Sequence, residues 1–283
     1  MGRKASHHFI PVTYLSEFTK EEKRNSTFWS VPNNNSKPFV TSPIKTCKKR
    51  DYYTIDHQNS LMVEDWYANE IEPKIKSALE SVRQNKTLPA REDRDSLLLL
   101  VATLYIRTPS NRERIEAPLR IERDMVQSMS EDINILNKKD FEYSQTDLIK
   151  MELKILNMVM DNLSKKYYRL FYIKDENIDF ITSDDPFHLT HPYAHKKGFY
   201  YGLGTPNTML SIPVNRKTIL VGINEEVVEG TYVANKELVG EVNTNTVLQS
   251  SNFFYTPKED VLFINEYGKP YFHNILTSKK TFF

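Results

Sequence analysis

The sequence is poor in the residues on which several classes of protein depend. It contains a single cysteine, Cys47, and only 8 glycines among 283 residues. One cysteine excludes an internal disulfide framework and any zinc site built from several cysteines, and it suits a reducing compartment such as the cytoplasm. The few glycines, together with 12% aromatic residues, exclude a collagen-like or low-complexity chain. We therefore expect a folded cytoplasmic protein.

Long apolar runs and a strong net charge are also missing. The most apolar stretch, residues 97–106, is about half as long as a membrane-spanning helix. The first residues lack the apolar region of a secretory signal. We expect no membrane partner. The formal net charge is +1, so total charge indicates no partner, and the sequence leaves the oligomeric state open.

The common nucleotide and hydrolase motifs are absent as well. The chain has no G-x-x-x-x-G-K-[ST] and no G-x-G-x-x-G, which argues against a Walker-type nucleoside triphosphatase and a Rossmann dehydrogenase. It also lacks H-E-x-x-H and G-x-S-x-G. The glycines at 198, 202 and 204 have the wrong spacing for a phosphate loop. They predict a flexible loop of the kind that can cover a pocket.

The hydrophobic periodicity changes twice along the chain. Residues 1–60 contain short β-favouring runs, residues 62–164 carry apolar residues every three or four positions, and from residue 167 the period is two. We predict one α+β domain, 1–283. In it, an antiparallel sheet from N-terminal and C-terminal strands is covered on one face by a mid-chain block of about four helices.

Shorter patterns locate individual elements. Runs at 167–173 and 178–182 flank a polar turn and predict one hairpin, and a second hairpin is predicted over 209–223. The all-apolar run at 97–106 predicts the central helix of the block. Ser110 and Glu113 have the S-x-x-E spacing of a capping box, which predicts that the next helix opens at Ser110.

Basic residues are concentrated near the start of the chain. Residues 1–50 hold ten basic and three acidic residues, a net of +7. Lys48, Lys49 and Arg50 lie close to Tyr53, so they could bind phosphates while the tyrosine stacks on a base. The alternative is a solvated strand edge that its lysines protect from aggregation.

A histidine and two glutamates are candidates for proton transfer and metal binding. Adjacent His7 and His8 would point to opposite faces of an extended segment, and we favour His8 as the group that handles a proton. An ordered structural histidine is the alternative. Glu64 and Glu72 are eight positions apart on a predicted helix and share a face. They are the better candidates to line a cleft, although two glutamates on a solvent-exposed helix surface would fit the same spacing.

Charged residues at the ends of predicted elements complete the set. Arg107 follows ten apolar residues, so its guanidinium needs either a structural partner such as Glu64 or Glu72 or an anionic ligand. Arg112 stands in a first helical turn, where the dipole disfavours a cation, which suggests an outside partner. Ser183 and Asp184 end a predicted strand, as metal-holding carboxylates do in some phosphodiesterases, or as ordinary turn residues do.

Several segments together resemble a known bacterial family. The chain reads HHFIPVTYLSEF near its start, then DYY, RTP after the apolar helix, TSDDP after a strand, and SIPV. In these segments it resembles the family catalogued as domain of unknown function 4238. The resemblance implies a bacterial cytoplasmic protein and supplies no established reaction. An Asp stands at 185 where the resemblance leads us to expect Asn. The positions on which the family pattern falls are His8, Pro11, Tyr14, Phe18, Tyr53, Glu64 or Glu72, Arg107, Ser183, Asp184 and Pro186.

From these residues we predict a metal-assisted phosphodiester or nucleotide hydrolase, resembling a nuclease, in the manner of a bacterial defence or toxin effector. Asp184 with Glu64 or Glu72 would hold Mg²⁺ or Mn²⁺, His8 would transfer a proton, and Arg107 would stabilise phosphate charge. The partner would be a nucleic acid or nucleotide. Two alternatives stay open: a non-enzymatic module that binds the same ligand, and a structural protein whose polar groups form one buried network. The predicted substrate contacts are Lys48, Lys49, Arg50, Tyr53, Arg112 and Ser183.

Overall fold

The computed structural model describes residues 6–34, 36–56, 59–129 and 143–277. The helices are α1 (Val12–Ser16), α2 (Met62–Trp66), α3 (Glu72–Asn85), α4 (Asp95–Arg107), α5 (Pro109–Met129), α6 (Gln145–Ser164) and α7 (Lys236–Gln249). The strands are β1 (Ser6–His8), β2 (Phe28–Pro32), β3 (Phe39–Thr41), β4 (Lys48–Arg50), β5 (Tyr167–Tyr172), β6 (Thr182–Ser183), β7 (His188–Thr190), β8 (Met209–Asn215), β9 (Thr218–Ile223), β10 (Gly230–Val233), β11 (Phe253–Thr256), β12 (Asp260–Ile264) and β13 (Pro270–Asn274).

The helical block forms around α4. This helix contacts α3, α5 and α6, and most of its apolar side chains are buried, as their continuous run predicts. Full burial of one leucine contributes about 1.5–3 kcal/mol to the free energy of unfolding. The mid-chain helical block and the α+β class are therefore confirmed. None of the described helices combines the length and apolar character that crossing a bilayer requires.

Two principal sheets take the place of the single sheet that the periodicity suggests. One has the strand order β3-β2-β11-β6 and joins N-terminal strands to strands from the second half of the chain. The other has the order β10-β5-β9-β8-β7 and is antiparallel except where β10 pairs with β5. Strands β1 and β4 form a separate antiparallel pair that brings the first histidines beside the basic cluster.

One predicted hairpin forms and the other does not. Strands β8 and β9 pair across a tight turn as predicted. The prediction that 167–173 pairs with 178–182 is wrong, because β5 pairs with β9 and β10 instead. The later part of the second run, β6, belongs to the other sheet, where it pairs with β11. The apolar pattern marks which residues are extended but does not choose their partners.

The start of α5 also differs from its prediction. The helix begins at Pro109, whose fixed φ suits a first helical position. Thr108 precedes it, and its Oγ1 accepts a hydrogen bond from the Asn111 backbone N–H at 3.4 Å. Ser110 is therefore not the cap. Its hydroxyl is used elsewhere, in a contact with Asp185.

Candidate functional site

Arg107, at the end of α4, is fully buried and surrounded by polar and aromatic groups. Its Nη2 donates a hydrogen bond to the backbone carbonyl of His8, and its Nε donates to Tyr53 Oη at 3.1 Å. The carboxylate of Glu72 lies 3.9 Å from Nη1. The guanidinium also lies over the rings of Tyr53, at 5.0 Å, and Tyr67, at 4.0 Å. These residues with Glu64 and His7 are called the Arg107 cluster below.

The glutamates of the cluster lie on either side of a π turn. Tyr67–Ile71 forms this turn between α2 and α3, and such turns are frequent at functional sites. Burial raises the pKa of Glu64, the nearby Glu72 raises it further, and Arg107 opposes both effects. Among the described residues, neither Glu64 Oε2 nor Arg107 Nη1 makes a hydrogen bond.

The two adjacent histidines point to opposite sides of β1, as we expected of neighbouring residues in an extended segment. The imidazole of His8 points away from the cluster, and its Nε2 lies 3.1 Å from the carbonyl of Ile44. His7 points inward, where its Nδ1 accepts a hydrogen bond from the Tyr53 backbone at 2.8 Å. Burial lowers the pKa of His7, so the neutral imidazole is favoured.

Arg112, predicted to bind an outside partner, has an internal one. Its Nε and Nη2 bond the two oxygens of Glu152, on α6, at 2.5 and 2.8 Å. Its Nη1 donates to the carbonyl of Tyr52 at 3.0 Å, and the guanidinium lies 3.6 Å from the centre of that tyrosine ring. A bidentate pair of this kind satisfies the charge without a ligand.

Asp184 organises the chain around β11. Its carboxylate accepts hydrogen bonds from the backbone N–H groups of Ser251 and Asn252, both at 2.9 Å. Burial raises the pKa of Asp184, and these hydrogen bonds oppose the shift. Within the ranges that the structure describes, no three His, Cys, Asp or Glu side chains are grouped so as to hold a metal ion. The predicted pair of Asp184 with Glu64 or Glu72 is a smaller set than this, and metal binding by it stays a prediction.

A cavity of about 310 Å³ lies beside Asp184 and opens among basic residues. Lys45, Lys48 and Lys49 contribute to its wall, and β3 and β11 contribute the aromatic residues Phe39 and Phe253. We call it the lysine pocket. In the described part of the chain, no carboxylate oxygen lies within 4.0 Å of the ammonium group of any of the three lysines, so none of them forms an ion pair.

A second opening, of about 470 Å³, lies next to Asp185. The hydroxyl of Ser110 donates a hydrogen bond to Asp185 Oδ2 at 2.5 Å, which ties the start of α5 to the segment after β6. Burial raises the pKa of Asp185, while this hydrogen bond and the charge of Arg114 oppose the shift. We call this opening the Asp185 cleft.

The segments with which the family resemblance began thus meet in space. Arg107 joins the HHF segment to DYY, and Ser110 joins the residues after RTP to TSDDP. A family model described as "Protein of unknown function (DUF4238)" matches residues 6–267. The chain belongs to this family. Neither a curated protein nor a solved structure matches the chain. The Arg107 cluster, the lysine pocket and the Asp185 cleft all lie within the part that matches DUF4238.

The predicted site residues are therefore divided between two places. Tyr53, Glu72 and Arg107 meet beside the carbonyl of His8, whereas Lys48, Lys49 and Asp184 border the lysine pocket. The expectation that Tyr53, Arg112 and Ser183 touch substrate is corrected by their burial. Ser183 Oγ accepts a hydrogen bond from the Asp185 backbone, and Arg50 stays on the surface, 3.8 Å from Asp51. Sequence reasoning missed His7, Tyr67, Glu152 and Asp185.

Proposed function

We propose that the protein binds single-stranded nucleic acid, or a nucleotide, through the lysine pocket. The observation that carries the proposal is the position of three lysines around a cavity whose rim includes exposed aromatic surface. This corresponds to the binding module that the sequence left open as an alternative to the hydrolase.

The lysines would bind the phosphates. Lys45, Lys48 and Lys49 are exposed, and lysines that neutralise phosphates displace the cations condensed around a nucleic acid. Release of those counterions favours binding at low salt. Lys49 also lies 5.7 Å from the centre of the Tyr52 ring, which limits the range of positions that its ammonium group takes.

Phe39 would provide the stacking surface. It lies on β3, at the edge of its sheet, with 47% of its surface exposed. Its ring packs edge-on against Phe253, with 6.2 Å between centroids, so the ring is oriented before a ligand arrives. Stacking of one base on an aromatic side chain contributes about 1–3 kcal/mol and tolerates any base.

Asp184 is the acidic residue that lines the pocket. Its two oxygens accept hydrogen bonds from the backbone N–H groups of Ser251 and Asn252. Cys47 lies in the same wall, 3.3 Å from Tyr255 Oη, and burial raises the pKa of its thiol well above the usual value. It is therefore unsuited to act as a nucleophile, which favours binding over thiol chemistry.

The test is binding of a fluorescently labelled oligothymidine of about twelve nucleotides, followed by anisotropy as salt is raised. Three phosphate contacts predict a slope of about −2 for log K against log salt. Replacing Lys48→Ala and Lys49→Ala together should reduce the affinity about tenfold or more and lower that slope. The matched control, Lys74→Ala with Lys76→Ala on the exposed side of α3, removes the same charge and should leave binding unchanged.

The stacking step has its own pair of variants. Phe39→Ala should weaken binding without changing the salt slope, whereas Val40→Ala, at the neighbouring exposed position, should not. If the Lys48/Lys49 double variant and the wild-type protein bind the oligonucleotide equally well, the proposal is wrong.

Metal-assisted cleavage is a second candidate function. Glu64 and Glu72 lie close enough for the charge of one to raise the pKa of the other, and Arg107 is beside both. Mg²⁺ is commonly held by one or two carboxylates with water and phosphate oxygens. Cleavage of foreign nucleic acid is also the activity expected of a cytoplasmic bacterial defence or toxin effector. The test is incubation of the protein with RNA and with DNA in the presence of Mg²⁺ or Mn²⁺. Glu72→Gln should abolish cleavage. If the wild-type protein gives no metal-dependent product, this second candidate is wrong.

A further inference from the structure

The Asp185 cleft contains a combination of groups that the proposed function does not use. Its volume of about 470 Å³ lies within the range of small-molecule sites. Tyr105, Phe187 and Tyr201 supply aromatic surface, whereas Asp185, Arg114 and Gln249 supply polar groups. These side chains come from α4, α5, the C-terminal end of α7 and the segments around β7.

Asp185 is an oriented hydrogen-bond acceptor. The Ser110 hydroxyl fixes Oδ2 at 2.5 Å, and the Asp185 backbone N–H donates to Ser183 Oγ at 3.1 Å. The side chain is partly exposed at the cleft. An ionised carboxylate only accepts hydrogen bonds, so the ligand must bring N–H or O–H donors.

The aromatic surface fits a flat ligand. The rings of Tyr105 and Phe187 pack together, with 4.7 Å between centroids. Tyr201 faces the same cleft, and its hydroxyl donates to the carbonyl of Leu189 at 3.3 Å. Rings whose positions are set by such contacts offer stacking at a small cost in side-chain entropy.

Arg114 limits the charge that a ligand in this cleft can carry. Its guanidinium is near enough to lower the pKa of Asp185 by its charge, and it lines the same cleft. It would repel a ligand cation placed against the carboxylate. A neutral heteroaromatic ring with adjacent N–H groups meets the carboxylate without that repulsion.

The wall of the cleft is largely preformed. Gly202 N–H donates to Thr205 Oγ1 at 3.0 Å, and the buried ammonium of Lys166 donates to the carbonyl of Leu203 at 2.8 Å. The glycine-containing loop that the sequence suggested as a pocket cover is thus anchored beside the cleft.

We propose that the Asp185 cleft is a base-selective site that binds guanine. Guanine is neutral and flat, and its N1–H and N2–H₂ groups present two parallel donors that one carboxylate can accept. Gln249, which carries both a donor and an acceptor, can bond another edge of the base. The inference is independent of the lysine pocket, because a nucleoside without phosphate suffices to test it.

The test is isothermal titration of the full-length protein with guanosine, inosine and adenosine. Guanosine should bind most tightly. Inosine, which lacks the 2-amino group, should bind about tenfold more weakly, as should adenosine, since neither offers the two parallel donors that one carboxylate can accept. Equal affinity for guanosine and adenosine, or no heat with any nucleoside, overturns the proposal.

Variants then locate the site. Asp185→Asn keeps an acceptor for Ser110 but offers an amide in place of one oxygen, so it should lose the preference for guanosine and favour xanthosine, whose 2-oxo group accepts a hydrogen bond. Tyr201→Leu should weaken guanosine binding without changing this order, and it replaces Asp185→Asn if that variant does not fold. The Lys48→Ala/Lys49→Ala protein should bind guanosine as the wild type does. Undiminished guanosine binding by both Asp185→Asn and Tyr201→Leu overturns the assignment to this cleft.

Discussion

The Arg107 cluster and the lysine pocket use cations in opposite ways. Arg107 in the cluster, and Arg112 beside it, are buried and supplied with carbonyl, carboxylate and aromatic partners from the chain itself. Around the pocket, Lys45, Lys48 and Lys49 remain exposed. A buried charge is tolerated only when its partners are present at all times. The buried cations therefore hold the protein together, and the exposed ones are available to a ligand.

The chemistry of the two side chains explains the division. A guanidinium is planar, carries five donors and stacks on aromatic rings, so one arginine can join several chain segments. Arg107 does so by contacting β1, Tyr53 and the helix of Glu72. An ammonium group is strongly hydrated and sits on a flexible stem, which suits contact with phosphates at a surface.

The largest effect should follow from removing the central cation. Arg107→Leu leaves Glu72, the His8 carbonyl and Tyr53 Oη without their common donor, and it should lower the free energy of unfolding by about 3–5 kcal/mol. Denaturant unfolding followed by circular dichroism measures it. Arg107→Lys keeps the charge but not the planar, forked guanidinium. Its free energy of unfolding should lie between those of the wild type and Arg107→Leu. An unchanged midpoint for Arg107→Leu would show that the cluster does not stabilise the fold.

A somewhat smaller loss should follow at the second buried arginine. Glu152→Gln removes one charge of the bidentate pair and leaves Arg112 buried without its counter-ion, which should cost about 2–3 kcal/mol. Glu122→Gln, at an exposed position of α5, is the matched control and should be neutral. In a double-mutant cycle with Arg112→Met, the two losses should be strongly non-additive. Simple addition of the losses would contradict the pair.

Replacing Glu64 should have the opposite effect on stability from replacing Glu152. Because burial raises its pKa in the folded protein above the value of the unfolded chain, the folded state holds the proton more tightly. The contribution of Glu64 to stability is therefore complete at a pH below the unfolded pKa and is lost as the pH rises through the folded one. Glu64→Gln should remove this loss, so the variant should be as stable as the wild type, or more stable, at pH 7. Unfolding measured at several pH values between 4 and 8 tests it, and marked destabilisation at pH 7 would contradict it.

The smallest effect on stability should be seen in the lysine pocket. Lys48→Ala with Lys49→Ala should change the free energy of unfolding by less than about 0.5 kcal/mol, because both residues are exposed. The same variant should bind the oligonucleotide about tenfold more weakly, or less tightly still. A large loss of stability would mean that these lysines, like the arginines, serve the fold.

Much of the fold could be predicted from local patterns. The stripe in α3 and the continuous apolar run of α4 each require burial, and only a helical layer provides it at those spacings. The hairpin of β8 and β9 has its partners adjacent in sequence and a short turn between them. The hairpin predicted after β5 failed because a more distant strand, β9, competes for the same backbone groups.

The candidate site was harder to predict, because its residues act through partners far away in the sequence. The position of Arg107 after ten apolar residues required either a partner within the chain or an anionic ligand, and Glu72, one of the two glutamates proposed, lies 3.9 Å from it. The choice between His7 and His8 depended on which face of β1 meets the core. The contact between Ser110 and Asp185 joins residues 75 positions apart, and no local sequence pattern predicts it.

The sequence by itself determined the class of the fold, the helical block and the need of Arg107 for a partner, since periodicity and the cost of an unpaired buried charge act locally. Only the tertiary structure decided that Arg112 turns inward to Glu152, that Asp184 binds the backbone near β11, and that the lysines remain exposed around a cavity. The reason is that strand pairing and side-chain contacts are chosen among many distant candidates with similar local preferences, and the packing of the whole core selects one.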